Sequence, residues 1–467
     1  MVFSSNIFLF AFLPFVLFSY FLLPHKNYKN ALLLVASLIF YAWGEWQYVL
    51  LLLVSIVGNY FFGLWIGKSK YEAQSTKHEI FIALTFNLLL LGYFKYANFL
   101  IENLNAVFAL HIENKKIHLP IGISFFTFHA ISYLVDIYRQ KCLPQKNLFQ
   151  LALYISFFPQ LVAGPIVRYN FIEKYLGKRR HNFFFIAYGI RRFVVGIGKK
   201  VIIANPLGEL ADAIFDSPLS EINSALAWVG IICYTLQIYF DFSGYSDMAV
   251  GLARIFGFRF PENFNYPYIS RSIKEFWRRW HMSLSAWFRD YVYIPLGGNR
   301  VSVLRQYFNL VLVFFLCGLW HGASWNFIIW GMFHGFFVVA ERVLPKVSMP
   351  KILQNFYAIF IIMIGWVFFR SPDLSHSLAY LQTMFSGNEI EIVSNQISRL
   401  IRSHFVWMSF SLALIGFSPL VKNLALCLMR KNRIFVGIFD LFLIAVFALA
   451  IIRLSAATHN PFIYFQF

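Results

Sequence analysis

Long apolar runs alternate along the chain with short polar connectors. A helix needs roughly 20 apolar residues to cross a bilayer, so runs of this length predict membrane-spanning helices. The predicted spans lie near residues 6–23, 31–43, 48–66, 80–100, 119–138, 223–240, 307–320, 324–341, 354–369, 405–421 and 434–453. The stretches 148–167 and 183–204 are also apolar but interrupted. The pattern predicts an all-α polytopic membrane protein, a single membrane-embedded domain over residues 1–467.

Composition supports this class. Of the 467 residues, 59% are hydrophobic, 20% are aromatic and 13% are charged, whereas soluble domains are about 45–50% apolar and roughly 25% charged. A soluble enzyme or a disordered chain is therefore excluded. The four cysteines are isolated and show no zinc-ligand spacing, so we expect no metal site.

The net charge of +19 would indicate nucleic-acid binding in a soluble protein, but in a membrane protein it is typical of cytoplasmic loops. The connectors 24–30, 67–79 and 139–147 are all basic, and the predicted spans place them on one side. We interpret that side as the cytoplasm. Both termini are then predicted to be extracytoplasmic, and no nucleic-acid partner is expected.

Basic residues concentrate in two segments: twelve of the 40 Lys and Arg residues lie in 139–200 and nine in 254–305. Several of these basic residues interrupt apolar stretches, and simple membrane crossings would place some of them on the extracytoplasmic side. We therefore expect re-entrant helices in 139–200, broken at Gly164-Pro165 and near Gly196 and Gly198. Segment 254–305 is expected to line a cytoplasmic funnel whose charge attracts an anionic ligand.

Two histidines are candidates for chemistry. Residues 275–290 (EFWRRWHMSLSAWFRD) are predicted to form one helix, with His281 on an inward face beside Trp277 and Trp280. His321 ends an apolar run, between Trp320 and Gly322. Imidazole is a ready base near neutral pH, and glycine lets a ligand approach the backbone. A purely structural role stays open for each histidine, and it is the favoured interpretation for His129 and His334.

Asp241 and Asp247 lie close together in residues 239–247 (YFDFSGYSD). Carboxylates beside a membrane span need partners. They either orient an imidazole or pair with Arg254 or Arg289, and the structural role is favoured.

The C-terminal residues 460–467 (NPFIYFQF) form an aromatic tail. An interfacial anchor is the ordinary role of such a tail. The phenol of Tyr464 is also acylated readily once a base removes its proton. Signatures of Walker loops, zincins, serine hydrolases and soluble HxxxxD acyltransferases are absent from the sequence.

These residues resemble the membrane-bound O-acyltransferases, specifically the bacterial branch of alginate and peptidoglycan O-acetyltransferase membrane subunits. The resemblance covers the full length and rests on residues 1–5 (MVFSS), 157–165 (FFPQLVAGP), 239–247, 275–281 (EFWRRWH), 293–299 (YIPLGGN), 319–322 (LWHG) and 462–467 (FIYFQF). It implies a ring of about 11–13 tilted spanning and re-entrant helices around a central funnel.

The resemblance also implies roles. His321 matches the principal catalytic histidine, His281 the second active-site histidine, and Tyr464 an aromatic tail proposed as an acyl relay. Acetyl-CoA is the implied donor, and a periplasmic SGNH-type O-acetyltransferase is the implied partner. Six residues are expected to bind the donor, although ordinary positive-inside charge explains the four cations among them equally well: Arg271, Lys274, Trp277, Arg278, Arg279 and Trp280.

The predicted function is therefore acetyl transfer across the membrane for O-acetylation of a cell-envelope polysaccharide, with peptidoglycan favoured over alginate or another exopolysaccharide. Two other classes stay open. A secondary transporter would suit intramembrane charges and broken helices, but it should show inverted repeats, which the sequence lacks. A non-catalytic scaffold would not need the paired histidines.

Overall fold

The computed structural model describes residues 1–71, 76–344, 349–387 and 394–456. All regular structure in these ranges is helical, which confirms the predicted all-α class. Six helical stretches within them are long and apolar enough to cross a membrane, and a seventh span results if the bent pair His404–Gly416 and Leu420–Lys431 counts as one. The six stretches are Lys26–Ser69, Lys77–Phe108, Ser224–Ile255, Val303–His321, Lys351–Arg370 and Arg433–Ala456.

Other predicted spans match the described helices less simply: 324–341 falls on the 19-residue helix Trp325–Val343, which is not among the six stretches. The predicted spans 31–43 and 48–66 fall on two helices joined by the 3-10 turn Trp46–Tyr48. The predicted spans 6–23 and 119–138 coincide with the shorter apolar helices Phe8–Leu22 and Ile123–Tyr138. Apolar run length thus located the helices, whereas their ends depend on packing.

The chain divides into two compact units. The first unit comprises residues 1–193 and 248–261. Its helices are α1 (Leu13–Leu22), α2 (Lys26–Glu45), α3 (Val49–Tyr71), α4 (Lys77–Leu91), α5 (Ala97–Phe108), α6 (Ile123–Tyr138), α7 (Leu148–Ser156), α8 (Phe158–Leu161), α9 (Tyr169–Gly177) and most of α10 (Phe183–Gly198).

The second unit comprises residues 194–247 and the described part of 262–467. Most of α12 belongs here, and its last turns belong to the first unit. Its helices are α11 (Asn205–Phe215), α12 (Ser224–Ile255), α13 (Ile273–Arg279), α14 (Met282–Phe288), α15 (Val303–His321), α16 (Trp325–Val343), α17 (Lys351–Arg370), α18 (Leu374–Phe385), α19 (Asn395–Ile401), α20 (His404–Gly416), α21 (Leu420–Lys431) and α22 (Arg433–Ala456).

One of the two predicted helix breaks in 139–200 is present. The chain leaves α8 at residue 162 and stays irregular through Gly164-Pro165 up to α9. The break predicted at Gly196 and Gly198 is wrong, because α10 runs through both glycines and continues as the π-helical turn Lys199–Ala204. Close packing explains this glycine pair: a Cβ on Gly244 would lie 2.8 Å from the carbonyl oxygen of Gly196.

Glycines also set the packing of α15 against α16. A Cβ on Gly318 would lie 2.2 Å from the carbonyl oxygen of Phe327, and one on Gly331 would lie 2.3 Å from that of Phe314. A Cβ on Gly322 would overlap the ring of Phe327 at 2.1 Å. Protein atoms therefore meet the Cβ positions of both Gly318 and Gly322, the second of which was expected to let a ligand approach the backbone.

Gly318→Ala should lower the melting temperature of the purified protein, because its methyl group would meet a backbone carbonyl that cannot turn aside. Overpacking of this kind costs about 1–3 kcal/mol. Gly437→Ala is the matched control: this glycine lies on α22, where a Cβ would meet no atom within 4 Å, and alanine there improves helix propensity. Equal melting temperatures for the two variants would contradict the packing argument.

Candidate active site

The predicted continuous helix over 275–290 is wrong, since it breaks at His281. α13 ends at Arg279 and α14 begins at Met282. His281 itself has φ +41° and ψ +54°, a left-handed conformation that costs a residue with a Cβ about 1 kcal/mol or more. Such conformations cluster at functional sites.

The segment around Asn263 causes this break by supplying the hydrogen bonds that a continuous helix would have made. The backbone N–H of Met282 donates to the carbonyl oxygen of Asn263 at 2.9 Å, and that of Asn265 donates to Arg279 at 2.9 Å. The carbonyl group of Arg279 and the N–H of Met282 are thereby satisfied outside the helix. No glycine or proline lies in 275–290, so the sequence carries no sign of the break.

The side chain of Asn263 also fixes the tautomer of His281. Asn263 Oδ1 accepts from the backbone N–H of Ser283 at 3.2 Å, which orients the amide, and it lies 3.1 Å from His281 Nδ1. Nδ1 must therefore carry the proton, which leaves the lone pair on Nε2.

Burial keeps the His281 imidazole neutral. The residue is 1% exposed, and this burial lowers the pKa of His281 to about 3. Nε2 is also buried and accepts no hydrogen bond within the described ranges. At neutral pH, His281 thus presents a hydrogen-bond acceptor.

His321 is the last residue of α15 and is 5% exposed. Three aromatic rings enclose its imidazole: the ring centroids of Trp320, Trp330 and Phe369 lie 4.9, 5.0 and 5.2 Å away. The negative end of the helix dipole favours a cation at this position by about 0.3–1 kcal/mol. The helix end thus offsets part of the cost that burial places on the imidazolium formed when a general base takes a proton.

Trp320 contacts both candidate histidines. Its indole lies 6.1 Å from the ring of His281 and 4.9 Å from that of His321, centroid to centroid. All three residues are buried in the second unit. The structure therefore brings together two histidines that lie 40 positions apart in sequence.

His334, for which a structural role was favoured, lies in the same aromatic cluster as His321, formed by Trp277, Trp280, Trp320, Trp330 and Phe369. Its ring lies 5.2 Å from Trp277 and 5.3 Å from Trp330. Trp330 and His334 are four positions apart on α16, so their shared face could have been found from helical spacing. His129 lies instead in the first unit, buried against Tyr154 at 5.6 Å.

The two aspartates form ion pairs, with different partners from those expected. Asp241 Oδ1 lies 2.9 Å from Nζ of Lys200, and both side chains are at most 3% exposed. Asp247 Oδ2 lies 2.7 Å from Nζ of Lys199. Arg289, one of the predicted partners, forms its ion pair with Asp290 at 2.6 Å.

The predicted donor-binding residues divide into two groups. Trp277 and Trp280 are buried in the aromatic cluster, whereas Arg271, Lys274 and Arg278 are exposed. Arg279 is half-buried and pairs with Glu275 at 2.9 Å. Arg271 lines an apolar cavity of about 600 Å³ in the second unit. Tyr464 and the tail 460–467 lie outside the described residues.

The arrangement suits acid–base chemistry in a dry, aromatic surrounding. Low dielectric strengthens each electrostatic interaction at the site. The imidazole at the helix C-terminus can move a proton between a hydroxyl and a leaving group, and the imidazole with the fixed tautomer can accept a hydrogen bond.

Comparison with known proteins agrees with this chemistry. Residues 37–371 match the model of the MBOAT, membrane-bound O-acyltransferase family. The probable alginate O-acetylase of Azotobacter vinelandii is 41% identical over 100% of both chains. The chain belongs to the membrane-bound O-acyltransferase family.

Two other similar proteins show the range of the family. The peptidoglycan O-acetyltransferase of Helicobacter pylori is 39% identical over 84% of this chain and 81% of its own. The teichoic acid D-alanyltransferase of Bacillus subtilis is 35% identical over 48% of this chain and 60% of its own. This membrane-bound O-acyltransferase is thus a multi-pass membrane enzyme that transfers acyl groups, and the transporter and scaffold alternatives are set aside.

Several neighbours of the candidate residues in this O-acyltransferase were not predicted. Asn263 orients His281, Phe242 packs on its ring at 4.7 Å, and Phe369 packs on His321. None of these residues lies within ten positions of the histidine that it contacts, and no sequence motif identifies any of them. Only the folded chain identifies them.

Proposed function

We propose that this enzyme transfers an acetyl group from acetyl-CoA, bound from the cytoplasm, to a hydroxyl group that serves O-acetylation of a cell-envelope polysaccharide. The observation that carries the proposal is the contact of one indole, Trp320, with both His281 and His321. A buried pair of imidazoles suits acyl transfer from a thioester to an alcohol.

In the proposed step, His321 removes the proton of the acceptor hydroxyl, and the hydroxyl oxygen attacks the thioester carbonyl carbon. The C–S bond breaks, and the thiolate leaves with a proton from the His321 imidazolium. His281 holds the donor. Because its Nε2 bears the lone pair, it accepts a hydrogen bond, for which an amide N–H of the donor's pantetheine arm is suitable. A role for His281 in polarising the carbonyl is less suitable, because polarisation needs a hydrogen-bond donor.

We propose that Tyr464 is the first acceptor, and that a periplasmic SGNH-type O-acetyltransferase then moves the acetyl group to the polymer. This arrangement requires the enzyme to lie in the bacterial inner membrane with both termini extracytoplasmic. The basic connectors 24–30, 67–79 and 139–147 support that orientation.

Two acceptor polymers have support. Peptidoglycan is favoured by its wider occurrence among bacteria and by the Helicobacter pylori relative, whereas relatives named for alginate align over the whole chain. Supplying the enzyme, acetyl-CoA and a periplasmic extract with either polymer separates the two, since only the true acceptor gains ester-linked acetyl groups.

For the relay, Tyr464→Phe should reduce acetyl transfer to the polymer at least 100-fold, because phenylalanine has no oxygen to acylate. Mass spectrometry of the wild-type protein after incubation with labelled acetyl-CoA should find one acetyl group on the C-terminal peptide. Tyr293→Phe is a control that removes a hydrogen-bonded phenol elsewhere in the second unit. Full transfer by Tyr464→Phe would exclude the relay. It would not bear on the proposed acetyl donor or on the proposed role of His321 as base.

A further inference from the structure

A strongly basic pocket of about 480 Å³ lies in the first unit. One wall is the end of α9 and the loop after it, and the other is the end of α12 and the turn after it. Five cations and three aromatic residues line it, together with a glycine: Lys174, Lys178, Arg180, Arg254 and Arg259; Tyr175, Phe185 and Phe258; and Gly257. Its volume falls within the range of small-ligand sites, about 300–1,000 Å³.

The pocket is built on ordered backbone. α12 ends in a Schellman motif: the N–H of Phe258 donates to Ala253 at 2.7 Å and that of Gly257 to Arg254 at 3.1 Å. Gly257 has φ +83°, which favours glycine. This motif fixes Arg254 and Arg259 on one wall.

The opposite loop is also anchored. The ring nitrogen Nε2 of His181 lies 3.0 Å from the hydroxyl of Tyr20, which donates to the carbonyl oxygen of Phe256 at 2.9 Å. The guanidinium of Arg179 lies 4.6 Å from the ring centroid of Phe258. The loop that carries Lys178 and Arg180 is thus held by its neighbours and does not depend on a ligand.

The five cations of the basic pocket form no ion pair within the described ranges. Elsewhere, half-buried cations have carboxylate partners, as in Lys199 with Asp247 and Arg370 with Asp212 at 2.7 Å. Arg254 also has a buried Nε that lacks a hydrogen-bond partner there. Clustered like charges raise the free energy of the empty pocket, and bound anions relieve that repulsion.

We propose that the basic pocket binds a ligand carrying two or more phosphate charges. Guanidinium groups match phosphate oxygens with paired hydrogen bonds. Phe185 lies between two of them, 5.6 Å from Arg254 and 5.3 Å from Arg259, and provides a flat face for the ligand's organic part. Two sources supply this chemistry: a soluble nucleotide such as coenzyme A and the headgroup of a phospholipid with two phosphates, such as cardiolipin.

Coenzyme A as the ligand rests on the proposed function, in which acetyl-CoA is the donor. Binding is therefore measured in the His321→Ala variant, so that acetyl transfer does not contribute to the result. One arm measures equilibrium binding of radiolabelled desulfo-coenzyme A to this protein in phosphatidylcholine nanodiscs. The other counts cardiolipin molecules, which carry two phosphate charges each, that remain bound in native mass spectra after delipidation. Both probes are applied to Lys178→Gln/Arg259→Gln and to Lys174→Gln/Arg180→Gln, all at exposed side chains.

We expect one probe to bind each double variant roughly 100-fold more weakly, about tenfold for each charge-assisted hydrogen bond that the substitutions remove. The control Lys115→Gln/Arg430→Gln removes two exposed cations outside the pocket and should bind as before. Loss of nucleotide binding identifies a nucleotide pocket, and loss of phospholipid binding identifies a lipid pocket. Affinities for both probes equal to those of the control overturn the proposal, and unchanged melting temperatures show that the variants are folded.

Discussion

His321→Ala is expected to lower the rate of acetyl transfer by about 10²–10⁴, the usual effect of removing a general base. The imidazole ends α15 and is enclosed by Trp320, Trp330 and Phe369. None of these three rings can accept the proton of an acceptor hydroxyl, so none of them replaces the imidazole. The measurement is the initial rate of labelled acetyl transfer from acetyl-CoA by the enzyme in proteoliposomes.

The matched control is His334→Ala, which removes a buried histidine from the same aromatic cluster. Both variants leave a cavity of similar size and should lower the melting temperature to a similar extent. Only His321→Ala should also abolish transfer, because His334 is assigned to packing. Near-wild-type transfer by His321→Ala would contradict its role as base, and equal loss in both variants would show that packing alone is responsible.

The sequence predicts most of the fold through the length of its apolar runs. Helical structure follows from those runs because a backbone N–H or C=O group without a hydrogen-bond partner costs several kcal/mol of free energy in lipid. The end of a helix, in contrast, is decided by hydrogen bonds from elsewhere in the chain. α13 stops where residues 263 and 265 supply partners, which no local pattern in 275–290 reveals.

The candidate site is predicted less completely. Both histidines could be chosen because an imidazole beside tryptophan in an apolar run is unusual. Their shared contact with Trp320 could not be predicted, since it depends on where the break at His281 lies relative to the end of α15. The close packing of Gly318 and Gly322 against Phe327 could not be predicted either, because a sequence shows that a side chain is missing but not which neighbour fills the space.

The pairing of Asp241 with Lys200 distinguishes a structural carboxylate from a catalytic one. Both charges are almost completely buried, so Asp241→Leu leaves an ammonium group without its counterion. Breaking a buried pair from one side costs about 3–5 kcal/mol, whereas replacing both partners with apolar groups is often neutral. We therefore expect Asp241→Leu to unfold at a much lower temperature and Asp241→Leu/Lys200→Met to recover most of the loss.

Transfer activity of the double variant then decides the role. If Asp241 only neutralises Lys200, the double variant is stable and active, because no proton passes through the pair. If Asp241 orients an imidazole, the double variant is stable but loses transfer, as happens when the acid of a triad is removed. Asp247→Leu is the comparison: its pair with Lys199 is 16–24% exposed, so water solvates the remaining ammonium group and the loss of stability should be smaller. A catalytic role for a buried charged residue can thus be separated from its effect on stability only when its ion-pair partner is replaced in the same variant.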